Sequence, residues 1–298
     1  GPLGVSVNAK FEGKIDFAFG YDTLGIKEFF DSGFKDPLKL FDGFYVSANP
    51  ENVLGTGPDL PELSFTGFLS ATAELNLGIA KAGVGGGVGF EVDFNLFDPD
   101  RDGRIRISEI LGNIEDQIKF GEPALAPLAI FDISGKIFFK LFAFIDTPFF
   151  SKEFDITPEI TLFDFQVPFF RPPKLATELD DGVLQINIGK YADKRLNGDL
   201  TDSAETIHVK QGGDAQHVLI WSDQFGIAES KAEEFKVTSK IIVSGGEGND
   251  VIDLSGITNA AITYDVEGGA GSDLITLAAT AGAARVKGGD GDDTITTG

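Results

Sequence analysis

A mainly β protein in two parts is what this sequence predicts, and three observations carry the prediction. The first is sustained period-two alternation. From Val5 to Phe19 the odd positions carry Val, Ala, Phe, Ile or Gly, while the even ones carry Ser, Asn, Lys, Glu and Asp before Ala18; that pattern marks a strand with one face buried. The second is the distribution of phenylalanine: 26 of the 28 lie before residue 171, so a Phe-built core precedes a stretch dominated by Gly, Asp and small residues. The third is a nine-residue Gly/Asp pattern that recurs three times in the last 54 residues. A chain of 298 residues is long enough for about two domains. The boundary is expected at Arg171-Pro172-Pro173-Lys174, a stiff polar stretch of the kind that separates domains.

Taken in order, residues 1–4 (Gly-Pro-Leu-Gly) read as the remnant of a cleaved tag and stand outside the fold. Residues 5–173 form the Phe-rich antiparallel β domain, opening with the Val5–Phe19 strand. Ala71, Ala73, Leu75, Leu77 and Ile79 are apolar on odd positions, whereas Val84, Val88, Phe90, Val92, Phe94 and Leu96 are apolar on even ones. A parity switch of this kind needs a turn or bulge, hence a long hairpin. Within it Gly83, Gly85, Gly87 and Gly89 share one face, which fits a bend or a close approach by neighbouring aromatic rings and fits no phosphate-loop spacing. Ile137 to Ile145, apolar on both faces apart from Lys140, predicts a buried strand, and Ile160 to Val167 another. One short helix is expected, with Ile110, Leu111, Ile114 and Ile118 on one face.

Composition narrows the function. There are 47 acidic against 24 basic residues, a net charge near −23; such a surface repels nucleic acid and anionic lipid and attracts cations. Nucleic acid is therefore excluded as the main partner. With no cysteine, disulfides, thiolate catalysis and Cys-ligated zinc are excluded as well. No run of 18 apolar residues occurs, so no transmembrane helix is expected. A lipid-facing barrel of Phe-rich strands is set aside because an acidic loop and a helix interrupt them; no membrane insertion is expected.

The acidic loop is residues 98–109, Asp-Pro-Asp-Arg-Asp-Gly-Arg-Ile-Arg-Ile-Ser-Glu. It resembles the EF-hand calcium loop, D-x-D-x-D-G followed by a closing Glu. In such a loop Asp98, Asp100 and Asp102 supply hard carboxylate oxygens, Gly103 permits the sharp turn, Arg104 offers its carbonyl, and Glu109 closes the shell in bidentate fashion. Ile105 would anchor the loop on the core. Arg106 stands where a small polar residue would help hold a water, which should weaken the site. No paired second hand is visible and the loop joins a strand to a helix, so the expectation is a structural calcium clip.

The repeated pattern is Gly245-Gly246-Glu247-Gly248-Asn249-Asp250-Val251-Ile252-Asp253, then Gly268-Gly269-Ala270-Gly271-Ser272-Asp273-Leu274-Ile275-Thr276, then Gly288-Gly289-Asp290-Gly291-Asp292-Asp293-Thr294-Ile295-Thr296. Each copy fits G-G-x-G-x-D-x-U-x and is similar to the calcium-binding repeat of RTX (hemolysin-type) proteins. The resemblance implies a parallel β-solenoid like the RTX β-roll over residues 244–298. Spacings of 23 and 20 residues suggest one glycine-rich turn per coil and a plain return strand. It also implies Ca2+ between successive turns. The carboxylates would be Asp250, Asp273 and Asp293, joined by Gly245, Glu247, Asn249, Gly268, Ala270, Ser272, Gly288, Asp290 and Asp292 of the same turns; Ile252, Ile275 and Ile295 would be the buried U positions. The last turn has no further coil after it, so its site is expected to be half-built. Residues 174–243 read as a degenerate or capping β segment without calcium. More loosely, Phe19-Gly20-Tyr21-Asp22-Thr23, the run from Ala73 into the Asp98 loop, and Arg171-Pro172-Pro173 resemble a module of very large bacterial RTX exoproteins.

No catalytic constellation is recognisable. His208 and His217 sit in strand-like segments, and the nucleophile-elbow and H-E-x-x-H motifs are missing. The expectation is a non-enzymatic, calcium-binding structural or adhesive module of a secreted, cell-surface bacterial protein. Its partners would be calcium, neighbouring domains of the parent protein, and a surface glycan or protein ligand. The alternatives are a carboxylate-based extracellular hydrolase acting on glycans, and calcium-triggered self-processing at Asp98-Pro99.

Overall fold

The structure, a computed structural model, describes residues 2–47, 60–279 and 282–297. Gly1 of the expected tag remnant and the closing Gly298 lie outside the described residues. The chain is mainly β and divides into two compact units, one of residues 1–117 with 123–169, the other of 118–122 with 170–298. No helix among the described residues is long and apolar enough to cross a membrane.

The elements up to residue 169 are β1 (Leu3–Ile15), β2 (Ala18–Tyr21), α1 (Leu24–Asp31), β3 (Phe44–Ser47), β4 (Leu63–Asn76), β5 (Lys81–Leu96), β6 (Arg104–Arg106), α2 (Ile107–Phe120), β7 (Phe131–Asp146), β8 (Ser151–Asp155) and β9 (Ile160–Gln166). A six-stranded antiparallel sheet runs β1-β4-β5-β7, with β8 and β9 both pairing with β7; β2, β3 and β6 form a second, small sheet. The expected hairpin is β4–β5, paired from Leu63↔Phe94 to Asn76↔Lys81, and the parity switch falls in its loop at Gly78, whose φ is +87°. The Gly83–Gly89 face admits aromatic rings: a Cβ on Gly85 would strike Phe142, one on Gly89 would strike Phe138, and one on Gly83 would meet Phe144.

Five expectations need correction. The Val5–Phe19 strand breaks at Asp16-Phe17, where the Asp16 N–H bonds the Glu62 carbonyl, and its two parts join different sheets. The strand also begins earlier than residue 5, since Leu3 and Gly4 of the expected remnant pair with Leu75 and Glu74. The apolar face of β1 is not buried: Val5 is 81% and Phe11 76% exposed. β7 is likewise not buried on both faces along its length: Ile133, Phe138 and Phe142 are buried, while Ile137 and Ile145 remain exposed. Among the described residues there are two α-helices rather than one, and α2 buries Asn113 and Gln117 while Leu111 and Ile118 face outward. Asn113 turns inward because its side-chain amide donates to the Phe97 carbonyl, 3.1 Å away, at the end of β5.

From residue 170 on, the strands are β10 (Ala176–Glu178), β11 (Val183–Ile186), β12 (Thr206–Gln211), β13 (His217–Trp221), β14 (Glu233–Lys236), β15 (Lys240–Glu247), β16 (Val251–Gly256), β17 (Thr263–Ala270), β18 (Leu274–Leu277), β19 (Ala284–Asp290) and β20 (Thr294–Thr297). They form two sheets, β10-β11-β15-β17-β19 and β14-β13-β12-β16-β18-β20. Pairing is parallel from β11 to β19 and from β12 to β20, and from β14 onward successive strands alternate between the sheets. Register is kept: Val243, Val266 and Val286 align, as do Ile252, Ile275 and Ile295. Between the sheets lies one apolar core in which Leu184, Ile186, Ile207, Ile241, Ile252, Leu254 and Ile275 are fully buried. Residues 174–243 supply half of that core, so they are continuous with the repeat region. Ile295 departs from its expected burial, being 44% exposed on the edge strand β20.

Candidate metal centres

The first centre is the loop between β5 and β6. Tight turns wind it around its own carboxylates. Asp98 accepts the N–H groups of Arg101 (2.8 Å) and Gly103 (2.7 Å), Asp100 that of Asp102 (3.0 Å), and Asp102 that of Arg104 (2.7 Å). Gly103 has φ +79°. One carboxylate oxygen from each of Asp98, Asp100 and Asp102 lies within 4.8 Å of the others. Glu109, in the first turn of α2, accepts the Arg106 N–H at 2.7 Å. Burial pushes its carboxyl up to about 7, and the three aspartate charges add to that despite the Arg106 N–H. Burial, then the Asp98 charge, also pushes Asp100 upward against the Asp102 N–H. Two carboxyls pushed toward their neutral forms beside two further aspartate oxygens make a set that a hard cation relieves.

Ile105 holds this loop down: it is 1% exposed and packs with Leu96, Val46, Ile110 and Phe131. In place of a second hand, β6 pairs with β3, with Val46 opposite Ile105. Arg104 thus sits in a ladder with Ser47. The Arg106 guanidinium donates to Asp22 at 3.0 Å and to the Asp42 carbonyl at 2.9 Å, and lies 3.5 Å from Asp102. Both Asp98 oxygens accept loop N–H groups.

The second centre is the stack of glycine turns. Asp250 and Asp273 are 1% and 2% exposed. One oxygen of each aspartate holds the turn before it: Asp250 Oδ1 accepts the Glu205 N–H (2.8 Å), Asp273 Oδ1 the Asp250 N–H (2.9 Å), and Asp293 Oδ1 the Asp273 N–H (3.0 Å). The other oxygen, Oδ2 of both Asp250 and Asp273, is buried without a hydrogen-bond partner. A Cβ on Gly245 would run into Asp250 Oδ2 and the Gly268 carbonyl; one on Gly268 would run into Asp273 Oδ2 and the Gly288 carbonyl. Burial, then the charges of Asp273, Glu205 and Asp202, raise Asp250 to about 7 against the Glu205 N–H. Asp273 is also raised, by burial and then by Asp293.

Orphaned carboxylate oxygens cradled by glycine α-carbons and carbonyls fit a hard cation such as calcium, since every donor is oxygen. Further hydrogen bonds tie these turns to one another and to Asp202. The Ala270 and Asp290 carbonyls accept the Gly248 and Gly271 N–H groups at 2.8 Å, Asn249 Oδ1 accepts the Ser272 N–H at 2.8 Å, and the Glu247 N–H goes to Asp202 at 2.8 Å. Asp292 is exposed and Asp293 half-buried.

Sequence reasoning missed the rung before Gly245. Glu205 aligns with Asp250 because Thr206 and Ile207 pair with Val251 and Ile252. Its carboxylate meets the Arg195 guanidinium and the Gly189 N–H, and both Arg195 and Glu205 are fully buried. Arg195 also donates to the carbonyls of Asn187, Asp199 and Thr201 and lies over the Phe225 ring. A protein cation thus stands where later rungs leave an open oxygen. The echo was readable as Glu205-Thr206-Ile207 against Asp250-Val251-Ile252, with Glu for Asp and no glycines. The histidines belong to separate pairs: His208 stacks on Trp221 with Nδ1 3.3 Å from Asp253, and His217 Nδ1 is 2.8 Å from Asp214.

No family model matches the chain, and no curated protein or solved structure does either.

Proposed function

We propose that the chain is a non-catalytic, calcium-binding structural or adhesive module of a secreted or cell-surface bacterial protein. In this reading residues 183–297 form a calcium-filled parallel β-solenoid of the RTX type, and residues 98–109 form a single calcium clip. The alternation of strands between two parallel, in-register sheets supports the first part. The observation that carries the reading is the pair of buried, unpartnered oxygens, Asp250 Oδ2 and Asp273 Oδ2. A buried carboxylate without compensation is costly, and a divalent ion beside the Gly268 and Gly288 carbonyls would remove that cost at both rungs.

Calcium neutralises carboxylates that would otherwise repel one another. Extracellular modules hold calcium with Kd of about 10⁻⁴–10⁻³ M, so export into millimolar calcium would complete the fold. Calorimetric melts in EDTA and across a calcium titration test this. Two transitions should rise with calcium, by about 2.7 kcal/mol at a hundred times Kd. Asp250→Ala or Asp273→Ala should abolish most of the rise in one transition and leave the other intact. A wild-type profile in both variants would sink the reading.

A further inference from the structure

The strand registers leave the six-stranded sheet with one wholly apolar face. On it stand the odd positions of β1 (5–15), β4 (63–75) and β7 (133–145) and the even positions of β5 (82–94); every one is Val, Leu, Ile, Phe, Ala or Gly. The opposite face is mixed: Phe68, Phe138, Phe142 and Phe144 lie over the Gly83–Gly89 stripe, and around them Lys136 is ion-paired to Glu91 and Glu159 and Lys140 to Glu153 and Asp155. β4 and β5 have strands on both sides, yet Leu69 is 58% and Val88 47% exposed. Nothing described in the chain covers them.

The patch is large and has relief. At about 3.3 Å per residue and about 4.8 Å between strands its four strands span roughly 40 by 19 Å, about 760 Å². The largest apolar patch on an ordinary monomer is about 300–600 Å², and a stable dimer needs about 800 Å² per partner. Phe11, Phe65, Phe90 and Phe94 stand in one half. The other half is built of small residues and holds a hollow of about 520 Å³ lined by Val5, Ala71, Ala73, Val84, Gly86 and Leu141, among others.

We propose that a second copy of this chain covers this face, giving a two-fold symmetric β-sandwich. A two-fold axis running across the strands over Leu69 and Val88 inverts the register. It brings Phe65 of each copy onto Ala73 of the other, Phe90 onto Gly86 and Phe94 onto Ala82. Ridge thus enters hollow twice, as an isologous interface requires, with the sheets about 10 Å apart and strands within about 30°. The many carboxylates that would oppose association lie off this face.

Sedimentation equilibrium of the full chain, with calcium and with EDTA, tests the proposal. The expected species is a dimer, twice the protomer's 31.8 kDa. Val88→Glu should weaken it by about a hundredfold or more, since it buries an unpaired charge, with the circular dichroism unchanged because position 88 is open in the protomer. Ala73→Phe should also give monomer by filling the hollow, and adding Phe65→Ala to that variant should restore the dimer. A monomer at all concentrations overturns the proposal. If that monomer also floats with neutral phosphatidylcholine vesicles, lipid is the cover instead. A dimer indifferent to both Val88→Glu and Ala73→Phe places the contact elsewhere and overturns it equally.

Discussion

Arg195 and Glu205 are both fully buried, and their pairing shows what a single residue contributes to the stack. The guanidinium spends four of its five hydrogens on one carboxylate and three carbonyls. Glu205 in turn offers its N–H to Asp250, so the cation fixes the first member of the carboxylate ladder. Removing one member of a buried pair costs about 3–5 kcal/mol, because the other is left charged and unpaired. Arg195→Met should therefore lower the stability of the 170–298 unit by that amount, in EDTA and in calcium alike. Arg195→Met with Glu205→Gln should recover much of it. Urea melts followed by Trp221 fluorescence would measure both; a loss seen in EDTA but erased by calcium would mean that an ion can take the guanidinium's place.

At the scale of elements, the glycine turns divide their labour by position. The second and fourth positions are conformational: Gly269 has φ +123° and Gly271 +128°, a region open to glycine and few others. A Cβ on Gly269 would also strike the Gly246 carbonyl of the turn before. Gly269→Ala should then cost about 1–3 kcal/mol with or without calcium, as read from the same melts, whereas a cost confined to calcium would mark Gly269 as part of the ion site instead. This explains why the turns were legible in sequence: a backbone that only glycine adopts leaves glycine in place. The 98–109 loop was legible for the same reason, through Gly103 and its spaced aspartates. The outward face of β1 was not, because alternation reports two chemistries and not what covers either. Nor was the inward face of α2, where Asn113 outcompetes Leu111 by answering the Phe97 carbonyl. Helix α1, only eight residues long, is too short for a periodic signal. Arg195 lies in an irregular 3-10 stretch whose partners come from four different segments, and no local pattern announces such a residue.

For the whole molecule the titration of these carboxylates sets a sign. Without metal, Asp250 rises from 3.8 to about 7 and Glu109 from 4.5 to about 7. A carboxyl raised in the folded state binds its proton more tightly there than when unfolded, so its contribution is complete below the unfolded value and lost as pH climbs through the folded one. In EDTA both units should thus weaken between about pH 4 and pH 7. Calcium competes with that same proton, so its stabilisation should grow across the same window. The gap between melts in calcium and in EDTA is expected to widen steadily with pH. Self-repulsion of a chain with net charge −23 pushes the EDTA curve in the same direction, and substitutions separate the two causes. Glu109→Gln should flatten the pH response of the first unit alone and Asp250→Asn that of the second, whereas diffuse repulsion would persist in both variants. An EDTA melting temperature that rises from about pH 5 to pH 8 would contradict the buried-carboxylate account. If the account holds, protons and calcium are alternative occupants of the same oxygens, and the module is most dependent on calcium where protons are scarce.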